Sequence, residues 1–236
     1  MKYKIIKDLL FPPRCVICDE VVPMGRMTVC DKCRHYIKPI EEPRCMKCGK
    51  RIEDETKEYC LDCSRKDRGY IKGYPCFDYI SPVSDSVLRM KYHDRPQYAS
   101  FYGREINRLF GNEFKQMKIE ALIPVPLHKN RIRKRGYNQA ELIALALSYE
   151  TGIPVRNDIL YRETETVAQK KLSNEERERN LYNAFAAHDI KNVPRRVVIV
   201  DDIYTTGSTI GASAKALRSI EIKEIYYTSI CIGNVV

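Results

Sequence analysis

Apolar residues recur at roughly helical spacing in two stretches: Val87 and Leu88 within 84–92, then Phe101, Ile106, Leu109 and Phe110 within 98–111. Both predict amphipathic helices. The pattern then changes. Ala121-Leu122-Ile123-Pro124-Val125-Pro126-Leu127 is a continuous apolar run and predicts a buried strand ending in a rigid Pro-x-Pro turn. Residues 139–150 read as a helix behind Asn138, a residue type that caps helix N-termini. A short strand is expected over 158–162, followed by a charged stretch, 163–180, that is irregular at first and then helix-prone. Arg196-Val197-Val198-Ile199-Val200 is rich in β-branched residues and predicts a strand; 207–219 reads as a helix and 224–232 as a last strand. Strands alternating with helices predict an α/β fold built on a parallel sheet with helices on both faces.

The first part of the chain shows no such periodicity. Eight of its cysteines form four Cys-x-x-Cys pairs, Cys15/Cys18, Cys30/Cys33, Cys45/Cys48 and Cys60/Cys63, repeating every 15 residues. Two thiolates separated by two residues converge on one ion from a tight knuckle, and two knuckles complete a tetrahedron. Gly49, following Cys48, supplies the permissive backbone such a knuckle needs. The segment has few aliphatic residues, so metal binding is expected to supply its missing folding energy. Two structural Zn²⁺ sites are expected in preference to redox Cys-x-x-Cys pairs or a disulfide framework. Uniform spacing leaves sequential and interleaved pairing of the knuckles equally open. At about 150 residues per domain, 236 residues accommodate one medium and one small domain. We place a small Cys-rich zinc-ribbon domain at 1–75 and the α/β domain at 76–236. Cys76 and Cys231 fall outside the array, and Cys231 reads as a buried small hydrophobe.

Charge adds little. The formal net charge of +10 falls to about +6 if eight cysteines are thiolates around two Zn²⁺ ions. The remaining surplus suits a phosphate-rich ligand or a nucleic acid without proving either. No apolar run approaches the roughly 18 residues of a membrane span, so membrane insertion is not expected. Lys7 and Asp8 interrupt the N-terminal apolar residues, so a signal peptide is not expected either.

The densest chemistry lies in Asp201-Asp202-Ile203-Tyr204-Thr205-Thr206-Gly207-Ser208-Thr209, directly after a buried strand. In parallel sheets, ligands bind beyond the carboxyl ends of strands. Backbone N–H groups of the turn, with the hydroxyls of Thr205, Thr206, Ser208 and Thr209, can cradle a phosphate monoester at a helix N-terminus. Asp201 and Asp202 would then face the hydroxyls of an attached sugar. An ordinary capped helix accounts for one hydroxyl, not for four hydroxyls behind an acidic pair.

This stretch resembles the phosphoribosyltransferase signature. Together with the Cys-x-x-Cys pairs, Lys91-Tyr92, Pro124-Val125-Pro126, Arg135-Gly136-Tyr137-Asn138-Gln139 and a Gln169…Arg177…Asn180 pattern, it resembles the ComF/ComFC competence proteins over about residues 12–232. The resemblance implies a phosphoribosyltransferase-like domain that binds phosphoribosyl pyrophosphate with Mg²⁺. It also implies a cytoplasmic role in DNA uptake and natural transformation, handling incoming single-stranded DNA beside a helicase partner. The turn at 124–127 resembles the loop that holds pyrophosphate in such enzymes, and 164–180 occupies the place of their mobile hood.

Several residues follow from that chemistry. Departure of pyrophosphate demands positive charge on the leaving group. The run His128-Lys129-Asn130-Arg131-Ile132-Arg133-Lys134-Arg135 offers five Lys/Arg in eight residues, with Arg133 and Arg135 the candidates; a solvated basic loop or a DNA-phosphate contact are the competing readings. With Asp201 and Asp202 these arginines form the candidate catalytic set. Lys91 and Gln169 are candidate ligand contacts, beside Asp201, Asp202, Thr205, Thr206, Gly207, Ser208 and Thr209. No base for an acceptor is evident, because His35, His93, His128 and His188 form no cluster. Three functions stay open: a phosphoribosyl pyrophosphate-binding protein of DNA uptake, an active phosphoribosyltransferase with an unidentified acceptor, and a zinc-anchored module that docks a helicase.

Overall fold

The computed structural model describes residues 12–23, 29–163 and 184–233. A 3₁₀ turn (Asp31–Tyr36) and helix α1 (Leu61–Arg65) punctuate the Cys-rich segment. Then follow β1 (Gly73–Asp78), α2 (Val83–Tyr92), α3 (Tyr98–Gln116), β2 (Ala121–Pro124), α4 (Lys129–Arg135), α5 (Gln139–Thr151), β3 (Leu160–Arg162), β4 (Phe185–Ala187), β5 (Arg196–Tyr204), α6 (Ser208–Arg218) and β6 (Glu224–Ile232). Four strands form a parallel sheet in the order β1-β6-β5-β2, and β3 and β4 pair separately, antiparallel.

Alternation along the strands feeds two apolar layers, since successive side chains point to opposite faces. Leu122, Val198 and Val200 pack with Ile106, Phe110 and Phe114 of α3 and Ile143 and Leu147 of α5. Ile123, Val197, Ile199 and Ile225 pack with Ile210, Ala214 and Leu217 of α6. The parallel sheet is therefore covered on both faces, as the alternation of elements predicts.

Four elements depart from expectation. The basic run 129–135 is helical rather than a loop: the His128 imidazole accepts from the Asn130 N–H at one end, and Gly136, at φ +84°, closes the other. Lys and Arg are good helix formers, and basic residues suit the last turn, which outweighs the like charges at Lys129/Arg133 and Arg131/Arg135. β1 and β4 were not anticipated. β1 starts at Gly73, ahead of the boundary expected at 75/76, and its outer residues are fixed by register with β6, from Gly73↔Tyr227 to Asp78↔Ile232. Finally, β5 runs on to Tyr204, so the acidic pair sits within the strand and not past its end. β2 accompanies β5 only as far as Val200, whereas β6 continues beside it to Tyr204. One edge of residues 201–204 is thereby left open at the carboxyl end of the sheet.

The described residues of the Cys-rich segment build no core of their own and share the cores of the sheet instead. Cys15, Val16, Ile17 and Val22 belong to the α3/α5 layer; Ile40, Cys45, Cys48 and Ile52 belong to the α6 layer. The first contact is reinforced by a bidentate Arg95–Asp19 pair at 2.8 and 2.9 Å. Arg95 also holds the Asp19 carboxyl below the usual carboxylate range by hydrogen bonding, against the opposing effect of burial.

Candidate functional site

Each half of the Cys-rich segment repeats one local design. Asp19 N–H donates to the Cys15 carbonyl and Cys15 N–H to the Glu20 carbonyl; Gly49 N–H donates to Cys45 and Cys45 N–H to Lys50 in the same way, all at 2.7–2.9 Å. Gly49 takes φ +74° as the knuckle requires, and Asp19 takes the equivalent conformation at φ +63°, its side chain held by Arg95. The sulfurs of Cys15, Cys18, Cys30 and Cys33 all lie within 4.8 Å of one another, as do those of Cys45, Cys48, Cys60 and Cys63. Pairing is therefore sequential, which uniform spacing could not decide. Sulfur–sulfur separations of 3.8 Å (Cys18–Cys30) and 3.7 Å (Cys48–Cys60) match the edge of about 3.8 Å expected for a thiolate tetrahedron with Zn–S near 2.3 Å. Backbone N–H groups of Cys30 and Cys48 point at the sulfurs of Cys15 and Cys45 at 3.3 and 3.5 Å, the outer support such ligands use. Both groups fit structural zinc, with four thiolates and no open position. Cys76 and Cys231 are buried in the sheet, where burial pushes both thiols up.

At the open end of β5, Asp202 forms an ion pair with Lys91 of α2 at 3.0 Å. Lys91 thus reaches the site but spends its charge on the acidic pair. Asp201 Oδ1 accepts from the Asp202 N–H at 2.8 Å. Burial, and next the neighbouring Asp202 carboxylate, push Asp201 up to about 8, with Lys91 opposing. The Asp201 carboxyl accordingly holds its proton more tightly than an ordinary carboxyl, while Lys91 pairs with its neighbour.

Thr205 and Thr206 are exposed, Ser208 and Thr209 half-buried, and Gly207 buried at φ +75° as the N-cap of α6. Gly207, as the N-cap residue, has no side chain to cap that helix. Thr206 Oγ1 and Ser208 Oγ lie 2.8 Å apart, and the Ser208 N–H also points at Thr206 Oγ1, at 3.3 Å. The loop brings the Thr206 and Ser208 hydroxyls together at the positive end of a helix, a setting that favours an anion. Gly207 is held closely: an added Cβ would lie 2.1 Å from Tyr204 Oη and 2.7 Å from Arg68 Cδ.

Tyr204 connects this loop to the second zinc ribbon. Its ring stacks on Tyr227 with centroids 4.7 Å apart and planes at 11°, and its hydroxyl lies 2.8 Å from that of Tyr70. Tyr227 in turn donates to the Cys48 carbonyl at 2.7 Å. Sequence reasoning missed Arg68, Tyr70 and Tyr227, because no local pattern links residues so far apart along the chain.

The Arg135–Gln139 motif proves to be a brace. Tyr137 donates to the Met90 carbonyl at 2.6 Å, near the end of α2. The Asn138 side chain caps α5 through the Ala140 N–H, as expected, and donates to the Val125 carbonyl at 3.0 Å. Arg135 donates to Gln139 Oε1 at 2.5 Å and lies 5.0 Å from the centroid of the Tyr92 ring. Arg133 is exposed on α4. Of the predicted site residues, the structure joins Lys91 to the acidic pair and sets Thr205–Thr209 directly beyond it, while Arg135 engages Tyr92. Gln169, with the hood expected at 164–180, lies outside the described residues.

The double zinc ribbon family matches residues 6–64. Competence protein F of Haemophilus influenzae is 34% identical over 221 residues, covering 90% of this chain and 93% of its own. The DNA utilization protein YhgH of Escherichia coli is 28% identical, with 89% and 92% covered, and Competence protein ComFC of Streptococcus pneumoniae is 27% identical, with 84% of each covered. A solved purine phosphoribosyltransferase from Pyrococcus horikoshii aligns over 58% of this chain and 85% of its own at 19% identity and a TM-score of 0.31.

Proposed function

The chain belongs to the ComF/ComFC family of competence proteins, and we propose that it serves DNA uptake by binding phosphoribosyl pyrophosphate at the end of β5 and handling incoming single-stranded DNA. The observation that carries this reading is the junction of Asp201 and Asp202 with the hydroxyl-lined turn at Gly207 that opens α6. A 5-phosphate would sit on the N–H groups and hydroxyls of Thr205–Thr209, and the ribose hydroxyls would face the acidic pair. Adjacent carboxylates are hard oxygen donors of the kind Mg²⁺ takes together with substrate phosphates. The upward push on Asp201 supports this reading, since a nearby cation would offset both its burial and the neighbouring Asp202 charge. Asp201 and Asp202 would hold that cation, and Lys91, paired with Asp202 at 3.0 Å, would supply positive charge for the pyrophosphate. Arg133 and Arg135 would meet the same leaving group if transfer to an acceptor takes place.

Cytoplasmic action beside a helicase belongs to the same reading. Among the described residues no helix is long and apolar enough to cross a membrane.

Calorimetric titration with phosphoribosyl pyrophosphate, with and without Mg²⁺, tests the donor. Asp202→Asn should weaken binding roughly 10- to 150-fold, the worth of a charged hydrogen-bond partner. Unchanged affinity would remove the acidic pair from the site. Pyrophosphate release on adding nucleobases or oligonucleotides would separate a transferase from a protein that only binds the donor.

A further inference from the structure

We propose that Tyr92, backed by Arg135, is a stacking platform for a nucleobase of single-stranded DNA at the rim of the acidic site, an inference that rests on the DNA-handling reading above. Tyr92 ends α2 and is 67% exposed, although its ring is as large as those the protein buries elsewhere. The Arg135 guanidinium lies 5.0 Å from its centroid, within the range at which a cation is drawn to a ring face.

Neither partner is loosely held. Arg135 is fixed by Gln139, itself only 1% exposed. The end of α2 is fixed twice, by Tyr137 on the Met90 carbonyl and by Lys91 on Asp202. The ring is thus presented on a rigid support one residue from the group that touches the acidic pair, so little ordering would accompany stacking.

The surroundings suit a polyanionic strand. Helix α4 carries Lys129, Arg131, Arg133 and Lys134 exposed and has no acidic residue. An aromatic face beside a cationic track is the combination that binds single strands without sequence preference: bases stack while phosphates follow the charge. The platform would hold a base of the strand next to the site where the phosphoribosyl donor is proposed to lie.

Fluorescence anisotropy with labelled oligothymidylate and an abasic oligomer of equal length tests this. Wild-type protein should prefer the oligomer with bases by about 5- to 150-fold, the contribution of one stacked base. Tyr92→Leu should bring oligothymidylate down to the affinity of the abasic oligomer, and Tyr92→Phe, which keeps the ring, should retain the preference. Because the side chain is exposed, equal thermal midpoints will show that all three proteins are folded. If Tyr92→Leu still prefers oligothymidylate, or if wild type binds both oligomers alike, the platform is overturned while DNA handling stands. If neither oligomer binds, the DNA reading fails and the platform falls with it.

Discussion

Two glycines with the same backbone conformation offer a clean measurement of how tightly the proposed phosphate loop is built. Gly207 has φ +75° and ψ 4°; Gly152, which ends α5, has φ +75° and ψ 1°. Alanine at either position meets the same left-handed penalty of about 1–2 kcal/mol. At Gly152 nothing lies within 4 Å of the new Cβ, so the penalty ends there. At Gly207 the Cβ would fall 2.1 Å from Tyr204 Oη, and that ring cannot simply swing aside. Its hydroxyl lies 2.8 Å from Tyr70 Oη and its face is stacked on Tyr227. Overpacking of that kind costs about 1–3 kcal/mol. Gly207→Ala should therefore be less stable than Gly152→Ala by about 1–3 kcal/mol, a thermal midpoint roughly 2–12 °C lower for a chain of this size. Paired calorimetric scans of zinc-loaded protein would read the difference. Equal midpoints would refute the close approach of Tyr204 and, with it, the claim that the loop is held in place from the ribbon side.

Three further outcomes are expected. Tyr227→Phe leaves the buried Cys48 carbonyl without its donor, which should cost about 1–3 kcal/mol in denaturant unfolding; no change would detach the ribbon from the sheet. Burial and Asp202 push Asp201 up to about 8 from an ordinary 3.8, so its contribution to stability is fully present below about pH 4. From there it should fall as pH rises to about 8, by up to about 1.4 kcal/mol per pH unit, and Asp201→Asn should flatten that slope in a series of unfolding curves. Elemental analysis should find two zinc ions in the wild-type chain and one in Cys63→Ser; zinc-free protein from a chelator-free preparation would falsify the ribbon assignment.

Much of the chemistry was legible because it is local. Two thiolates two residues apart are brought together by the chain itself, so four Cys-x-x-Cys pairs announce metal knuckles before any fold is known. Likewise a β-branched run followed by two acids, hydroxyls and Gly207 carries its strand, turn and helix start within one short segment. Pairing of the knuckles was not legible, since a 15-residue repeat satisfies sequential and interleaved arrangements equally; only the backbone path between them separates the two. β1 was hidden for a different reason. Gly73-Tyr74-Pro75-Cys76-Phe77-Asp78 has a Gly and a Pro where strands favour β-branched residues, and its partner β6 lies some 150 positions later. The ion pair Lys91–Asp202, the Tyr70–Tyr204–Tyr227 cluster and the division of the two ribbons between opposite faces of the sheet have the same character. Sequence by itself determined which groups can do chemistry, because spacing along the backbone governs what a short segment can converge on. Tertiary structure alone decided which of those groups meet, because burial of the sheet's two apolar faces, not chain proximity, brings distant segments together.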